Sequence, residues 1–339
     1  MFIFPLNNLN KHIERIIKEG GHLGRNPASV SLYKTKKSLK RTVINDFKIN
    51  KYIYIMAIPV MAYFIIFHYI PMYGAIIAFK QFSPGKGIIG SDWVGLDNFV
   101  KFFNSVYFTR VVRNTILINL YGLIFGFPAP IIFAILLNEI SKPRFKKAVQ
   151  TITYMPHFIS VVVVAGMIVS FTARNGFIGN FVARITGENV SLLMKPEYFR
   201  TIYIASGIWQ ELGFNSIIYL AAISSIDPQL YEAARMDGAG RFKQAIHITF
   251  MGILPTVIIL LIMRIGNMMS LGFEKIILLY NPLTYETADV ISSFVYRRGL
   301  QEFDYSFSAA VGLFNSVINF TLLICANLIS RKTQETSLW

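Results

Sequence analysis

Six long apolar runs decide most of what this chain can become. Residues 52–78, 114–138, 155–173, 201–223, 253–273 and 306–329 each come close to, or pass, the roughly 20 residues that a helix needs to cross a hydrocarbon core. No seventh run of that kind occurs. In lipid every backbone polar group must be satisfied within its own segment, so such runs fold as helices. The expected fold is an all-α membrane protein with six transmembrane helices. Composition agrees, since 54% of the 339 residues are apolar and a mean hydropathy of +0.49 is more than one soluble core requires. The third and fourth runs are the weakest: 155–173 is short, and 201–223 carries Trp209, Gln210 and Glu211.

Charge orients these runs. The formal net charge is +15, and eleven of the 33 Lys and Arg lie in residues 1–51. Basic residues beside spans face anionic lipid and fix topology, so no nucleic-acid partner is expected. With the N-terminus inside, the segments 1–51, 139–154, 224–252 and 330–339 carry 20 Lys and Arg, against 11 in 79–112, 174–200 and 274–305. Both termini are therefore expected to be cytoplasmic. This divides the chain into a basic tail (1–51), a transmembrane domain (52–330) and a short tail (331–339).

In the first tail Leu6, Leu9, Ile13, Ile16 and Ile17 recur at helical spacing. This reads either as a helix on the inner leaflet or as an irregular basic tail broken by Gly20, Gly21 and Gly24. No cleavable signal peptide is expected, because about fifty polar residues precede the first run. The single cysteine, Cys325, excludes an internal disulfide and is expected as a small packing residue.

Between the fourth and fifth runs lies DPQLYEAARMDGAGRFKQAIHI (227–248), a charged segment rich in alanine and glycine. Asp227 suits a helix N-cap and Pro228 the first turn. Leu230, Ala233 and Ala234 offer a smooth face, while Glu232, Arg235 and Asp237 project polar groups. Gly238 fits a C-terminal position of positive φ, and Ala239-Gly240 permits a bend. A connector needs only a few residues, not about thirty. The segment is therefore either a capped connecting helix or a docking element.

Glu232-Ala233-Ala234, Gly238 and Ile248, at this spacing, resemble the EAA loop of binding-protein-dependent ABC importer permeases. Residues 136–160 and 263–292 are similar to the polysaccharide-type sugar permeases, relatives of the larger membrane subunit of maltose importers. The likeness covers roughly residues 50–330. It implies a type I ABC importer permease fold in a bacterial cytoplasmic membrane, with the coupling loop at 227–250 contacting an ATPase through Glu232, Ala233, Ala234, Asp237, Gly238, Ala239 and Gly240. It further implies a second, non-identical permease, two ATPase subunits that hold ATP and Mg, an extracytoplasmic sugar-binding protein and a carbohydrate substrate. One departure is visible: Leu-Pro usually follows the motif's Ile closely, whereas this chain has Phe250-Met251 and a Leu-Pro only at 254–255. One kink at the entry to span five should be missing and another kept at Pro255.

The chain has no phosphate-binding G-x-x-x-x-G-K-[ST] loop and no H-E-x-x-H, so neither catalytic residues, metal nor cofactor is expected in it. Charged groups inside spans are costly and therefore informative. Glu211 and Arg264 fall at nearly the same depth on antiparallel spans and are expected to pair, as a structural clamp or as part of the gate. For a sugar path Trp209, Gln210, Asn215 and Asn267 are the candidates, with Asn119 and Tyr121 behind them; helix packing is the competing role for each. Trp93, Tyr280 and Tyr285 fall in outer connections and suit interface anchoring or contact with a binding protein. A secondary transporter or a non-catalytic membrane scaffold is the alternative. The first is usually built from repeated spans, and the halves 1–170 and 171–339 show no repeat.

Overall fold

A computed structural model describes residues 49–334. The N-terminal tail, with its expected surface helix, and the last five residues lie outside the described part. The described chain is a succession of helices, with a single two-stranded ribbon among the described residues. In chain order the principal helices are α1 (Lys51–Phe64), α2 (Asp97–Phe103), α3 (Phe108–Tyr121), α4 (Pro128–Asn138), α5 (Pro143–Tyr154), α6 (Val161–Thr172) and α7 (Phe177–Thr186). They continue with α8 (Pro196–Ser224), α9 (Pro228–Met236), α10 (Met251–Gly266), α11 (Phe273–Leu279), α12 (Ile291–Tyr296) and α13 (Tyr305–Gln334). The ribbon pairs β1 (Lys80–Gln81) with β2 (Asp92–Trp93) in antiparallel register.

Five stretches are long and apolar enough to cross a membrane: Lys51–Phe79, Phe108–Asn138, Val161–Thr186, Arg241–Gly266 and Tyr305–Lys332. Five of the six expected runs fall in these stretches; the fourth falls on α8, which is not among them. That helix has 29 residues, about 43 Å at 1.5 Å per residue, but Trp209, Gln210, Glu211 and Asn215 lower its hydropathy. Two expected boundaries also move. Residues 155–158 form a separate 3-10 turn, and Ser160 then caps α6 by accepting from the Val163 N–H. The fifth span stops at Gly266, where the chain turns through Asn267–Ser270 instead of running on to 273.

The chain divides at His68–Tyr69 into two units. In the first, α1 has no buried residue although it is KYIYIMAIPVMAYF. Side chains of that kind, left uncovered, call for a solvent other than water. The second unit carries three apolar clusters. Ile118, Val164, Phe199, Ile276 and Val290 gather α3, α6, α8 and α11. Phe102, Val111, Phe294, Phe307 and Val311 join α2, α3, α12 and α13. Ile131, Ala134, Tyr219, Ile253 and Val257 bind α4, α8 and α10. Helix α8 thus packs against α4, α5 and α10, and its glycine at 213 lets the α5 backbone close in: a Cβ there would stand 2.2 Å from the Thr153 carbonyl oxygen. Cys325, expected to pack, is exposed on α13.

A buried polar knot fixes α3, α8 and α12 to one another. The carboxylate of Asp289, wholly buried, accepts from Arg297 Nη2 at 2.8 Å, Arg110 Nη2 at 3.0 Å and Ser293 Oγ at 2.9 Å. Asn114 Nδ2 donates to the carbonyls of Asp289 and Glu286, both at 2.9 Å, while its oxygen accepts from Arg200 of α8 at 2.9 Å. Burial alone would lower the Arg297 guanidinium, but the hydrogen bonds and charge of Asp289 outweigh it and hold the group above its ordinary value. Tyr280 and Tyr285 pack on each other at 4.9 Å beside Arg297, so they belong to this knot and not to an exposed belt.

Candidate functional site

Two sites emerge, a polar cavity and the loop between α8 and α10. The cavity has a volume of about 530 Å³, within the usual range for small-molecule sites. Its walls come from α3, the residues leading into α4, one face of α8, the end of α10 and the start of α11. On α8 the lining positions 204, 207, 208, 211, 215 and 218 recur at helical spacing. Gln210, Asn215, Asn267 and Asn119 all line it, as do Glu211 and Arg264.

Trp209 does not. Two residues before Glu211, it sits about 200° around the helix, stands 46% exposed and takes no part in the lining. Tyr121 is likewise outside.

Glu211 and Arg264 share the cavity, as their matched depths require, yet they do not pair. His157 Nδ1 donates to Glu211 Oε2 at 3.0 Å, the carboxylate being able only to accept. The imidazole is set for this by the turn Met155–Phe158 and by stacking on Phe214 at 3.7 Å and 3°. His157, at the start of the third apolar run, gave no sign of this role in sequence; only the fold carries the 155–158 turn against α8. Arg264 has no acidic group within 4.0 Å among the described residues. Lys275 is a cavity residue that sequence reading passes over. Read as part of an outer connection, it enters the wall because the chain turns at Asn267 and brings α11 against α6.

The loop between α8 and α10 folds as its residues require. The Asp227 side chain accepts from the Gln229 N–H at 2.9 Å, and Pro228 opens α9. At the other end Gly238 adopts φ +75°. The Ala239 N–H donates to the Ala234 carbonyl at 2.8 Å and the Gly238 N–H to Arg235 at 3.0 Å, the pair of bonds that closes a Schellman cap. Glu232, Ala233, Asp237, Gly238 and Gly240 are exposed, while Ala234 and Ala239 are half-buried. Beside them stand uncovered Leu230, Met236 (89% exposed) and Phe242, apolar groups of the kind that mark an interaction surface.

Three residues outside the motif tie α9 to the foot of α10. Buried Gln244 donates through Nε2 to the Ala239 carbonyl at 2.6 Å, and the Tyr231 hydroxyl meets Thr249 Oγ1 at 3.0 Å. The entry to α10 is a π turn, Ala245–Phe250, where the motif's Leu-Pro is missing, and Pro255 lies inside the helix.

The model of the family described as binding-protein-dependent transport system inner membrane component matches residues 126–335. Protein LplB of Bacillus subtilis (strain 168) is 44% identical over 293 residues, 86% of this chain and 92% of its own. The polygalacturonan/rhamnogalacturonan transport system permease protein YteP of the same organism is 41% identical over 92% of this chain and 98% of its own. Among solved structures, a chain of a bacterial ABC transporter involved in the import of the acidic polysaccharide alginate superposes with a TM-score of 0.79 and 46% identity, covering 86% of this chain and 99% of that one. The same score, with 45% identity, holds for the alginate transporter in complex with a periplasmic protein bound to an alginate pentasaccharide. A capped loop at the EAA motif, a polar cavity among apolar helices and these likenesses converge: the chain belongs to the binding-protein-dependent transport system inner membrane components and is an importer permease, a transport subunit of the bacterial inner membrane.

Proposed function

We propose that this permease forms half of the path of an ATP-driven importer for an oligosaccharide. Its cavity is the observation that carries the reading: Asn119, Gln210, Asn215 and Asn267 offer amide groups to sugar hydroxyls inside an otherwise apolar helical body. Relatives named for polygalacturonan, rhamnogalacturonan and arabinooligosaccharide transport support a carbohydrate of more than one ring. In this reading α8 crosses the membrane as a sixth span and both termini lie in the cytoplasm. A second, non-identical permease completes the path, and an extracytoplasmic binding protein delivers the sugar, as the alginate transporter's periplasmic protein supports.

Two ATPase subunits, which hold the ATP and Mg, dock from inside, one of them against Glu232–Gly240. ATP-driven closure of that pair moves α9 as a lever and swings the path between inward- and outward-facing states. Reconstitution tests this. The permease pair, ATPases and binding protein in proteoliposomes should import a labelled oligosaccharide only with ATP. Uptake without ATPase subunits, or purification of the permease with no Walker-motif protein beside it, would refute the assignment.

A further inference from the structure

The cavity contains a charge excess that a neutral sugar leaves unanswered. Two basic side chains enter it, Arg264 from the end of α10 and Lys275 from α11. Neither has an acidic group within 4.0 Å among the described residues. Glu211 is the one carboxylate in the lining, and His157 engages it at 3.0 Å. Glycines line the wall beside both cationic heads, with the tighter approach at Arg264. A Cβ on Gly122 would stand 3.1 Å from Arg264 Nη2, and one on Gly207 would stand 3.8 Å from Lys275 Nζ. Lys275 rests over the Tyr203 ring at 5.1 Å.

Two cations share the cavity with the single carboxylate of Glu211, whose charge reaches Lys275 without contacting it; such an excess among apolar helices is costly, and a chain keeps it where an anion arrives from outside. We propose that Arg264 and Lys275 read the carboxylates of an acidic oligosaccharide, a chain of uronic acids, as it passes through this cavity. The guanidinium fork takes a carboxylate bidentately and fixes its plane, and the ammonium acts as a second, adaptable contact. The surrounding amides bind hydroxyls and are indifferent to charge. The inference rests on the importer reading and narrows its substrate class.

The test uses the complete transporter, purified with its ATPases and placed in lipid nanodiscs, with two probes of matched shape: trigalacturonate and its fully methyl-esterified form. Calorimetry should show the acid binding about ten-fold or more tightly than the ester, with a preference that weakens as salt rises. In Arg264→Gln/Lys275→Gln that ratio should fall towards one, and Arg264→Lys should keep part of it. Equal affinities in the wild-type complex, no binding of either probe, or a preference surviving the double substitution would each overturn the proposal. Native mass spectrometry supplies a further arm. Phosphatidylglycerol retained by the wild-type complex and lost from the double variant, with no preference between the sugars, would assign the cations to lipid. Binding-protein-stimulated ATP hydrolysis is measured on the same preparation. Its absence would sink the importer reading, whereas its presence without acid preference would sink this inference alone.

Discussion

Single residues separate what burial demands from what a site retains. Asp289 faces two guanidiniums with none of its surface exposed, and breaking a buried pair leaves the surviving charge uncompensated. Asp289→Ala should cost about 3–5 kcal/mol, read as a lower melting temperature of the detergent-purified permease. Adding Arg110→Met and Arg297→Met should recover part of the loss; no recovery would mean that the carboxylate acts by packing alone. In the cavity, Asn215 lines the wall and Trp209 does not. Asn215→Leu should therefore reduce uptake more than Trp209→Leu, and the reverse order would place the path on the other face of α8. The pairing of Glu211 with Arg264 followed from depth, a one-dimensional coordinate that periodicity supplies. It failed because partner choice needs azimuth and neighbours, and His157 reaches Glu211 from a turn outside the helix.

At the scale of elements, two junctions hold helices against one another. The α5–α8 crossing tolerates no side chain at 213, because the blocking atom is the backbone oxygen of Thr153. Gly213→Ala should cost about 1–3 kcal/mol and lower the yield of assembled complex in size-exclusion chromatography; an unchanged profile would mean that the helices separate freely. The second junction joins α9 to α10. Gln244→Ala or Tyr231→Phe removes a hydrogen bond of that brace, each bond being worth about 1 kcal/mol. Such variants should hydrolyse ATP while importing less sugar per ATP, and an unchanged ratio would show that α9 needs no brace. Cap and stop of α9 were readable in DPQLYEAARMDGAG, because capping is local chemistry. The brace was not, since Gln244 and Thr249 look like ordinary polar residues until the chain folds back on itself.

For the whole molecule, the proposed coupling is tested at the loop where Leu230, Met236 and Phe242 are exposed, apolar groups of the kind that mark an interaction surface. Glu232→Lys or Gly238→Asp should leave the permease in the membrane yet abolish coupling, measured as ATP hydrolysis without uptake; full transport by both would remove the docking role from this loop.

The sequence by itself determined that the chain is helical and belongs in a membrane, where the helices run to within several residues, and where the loop between α8 and α10 sits with both its caps. These follow from periodicity, hydropathy and short-range hydrogen bonding, which act between residues near in the chain. Only the tertiary structure decided that Lys275 joins Arg264 in the cavity, that Trp209 stays out, and that His157 takes Glu211. Those outcomes depend on where the chain turns at Asn267 and on which face of α8 meets α4 and α5, and contacts across such distances in sequence are fixed by packing rather than by local pattern.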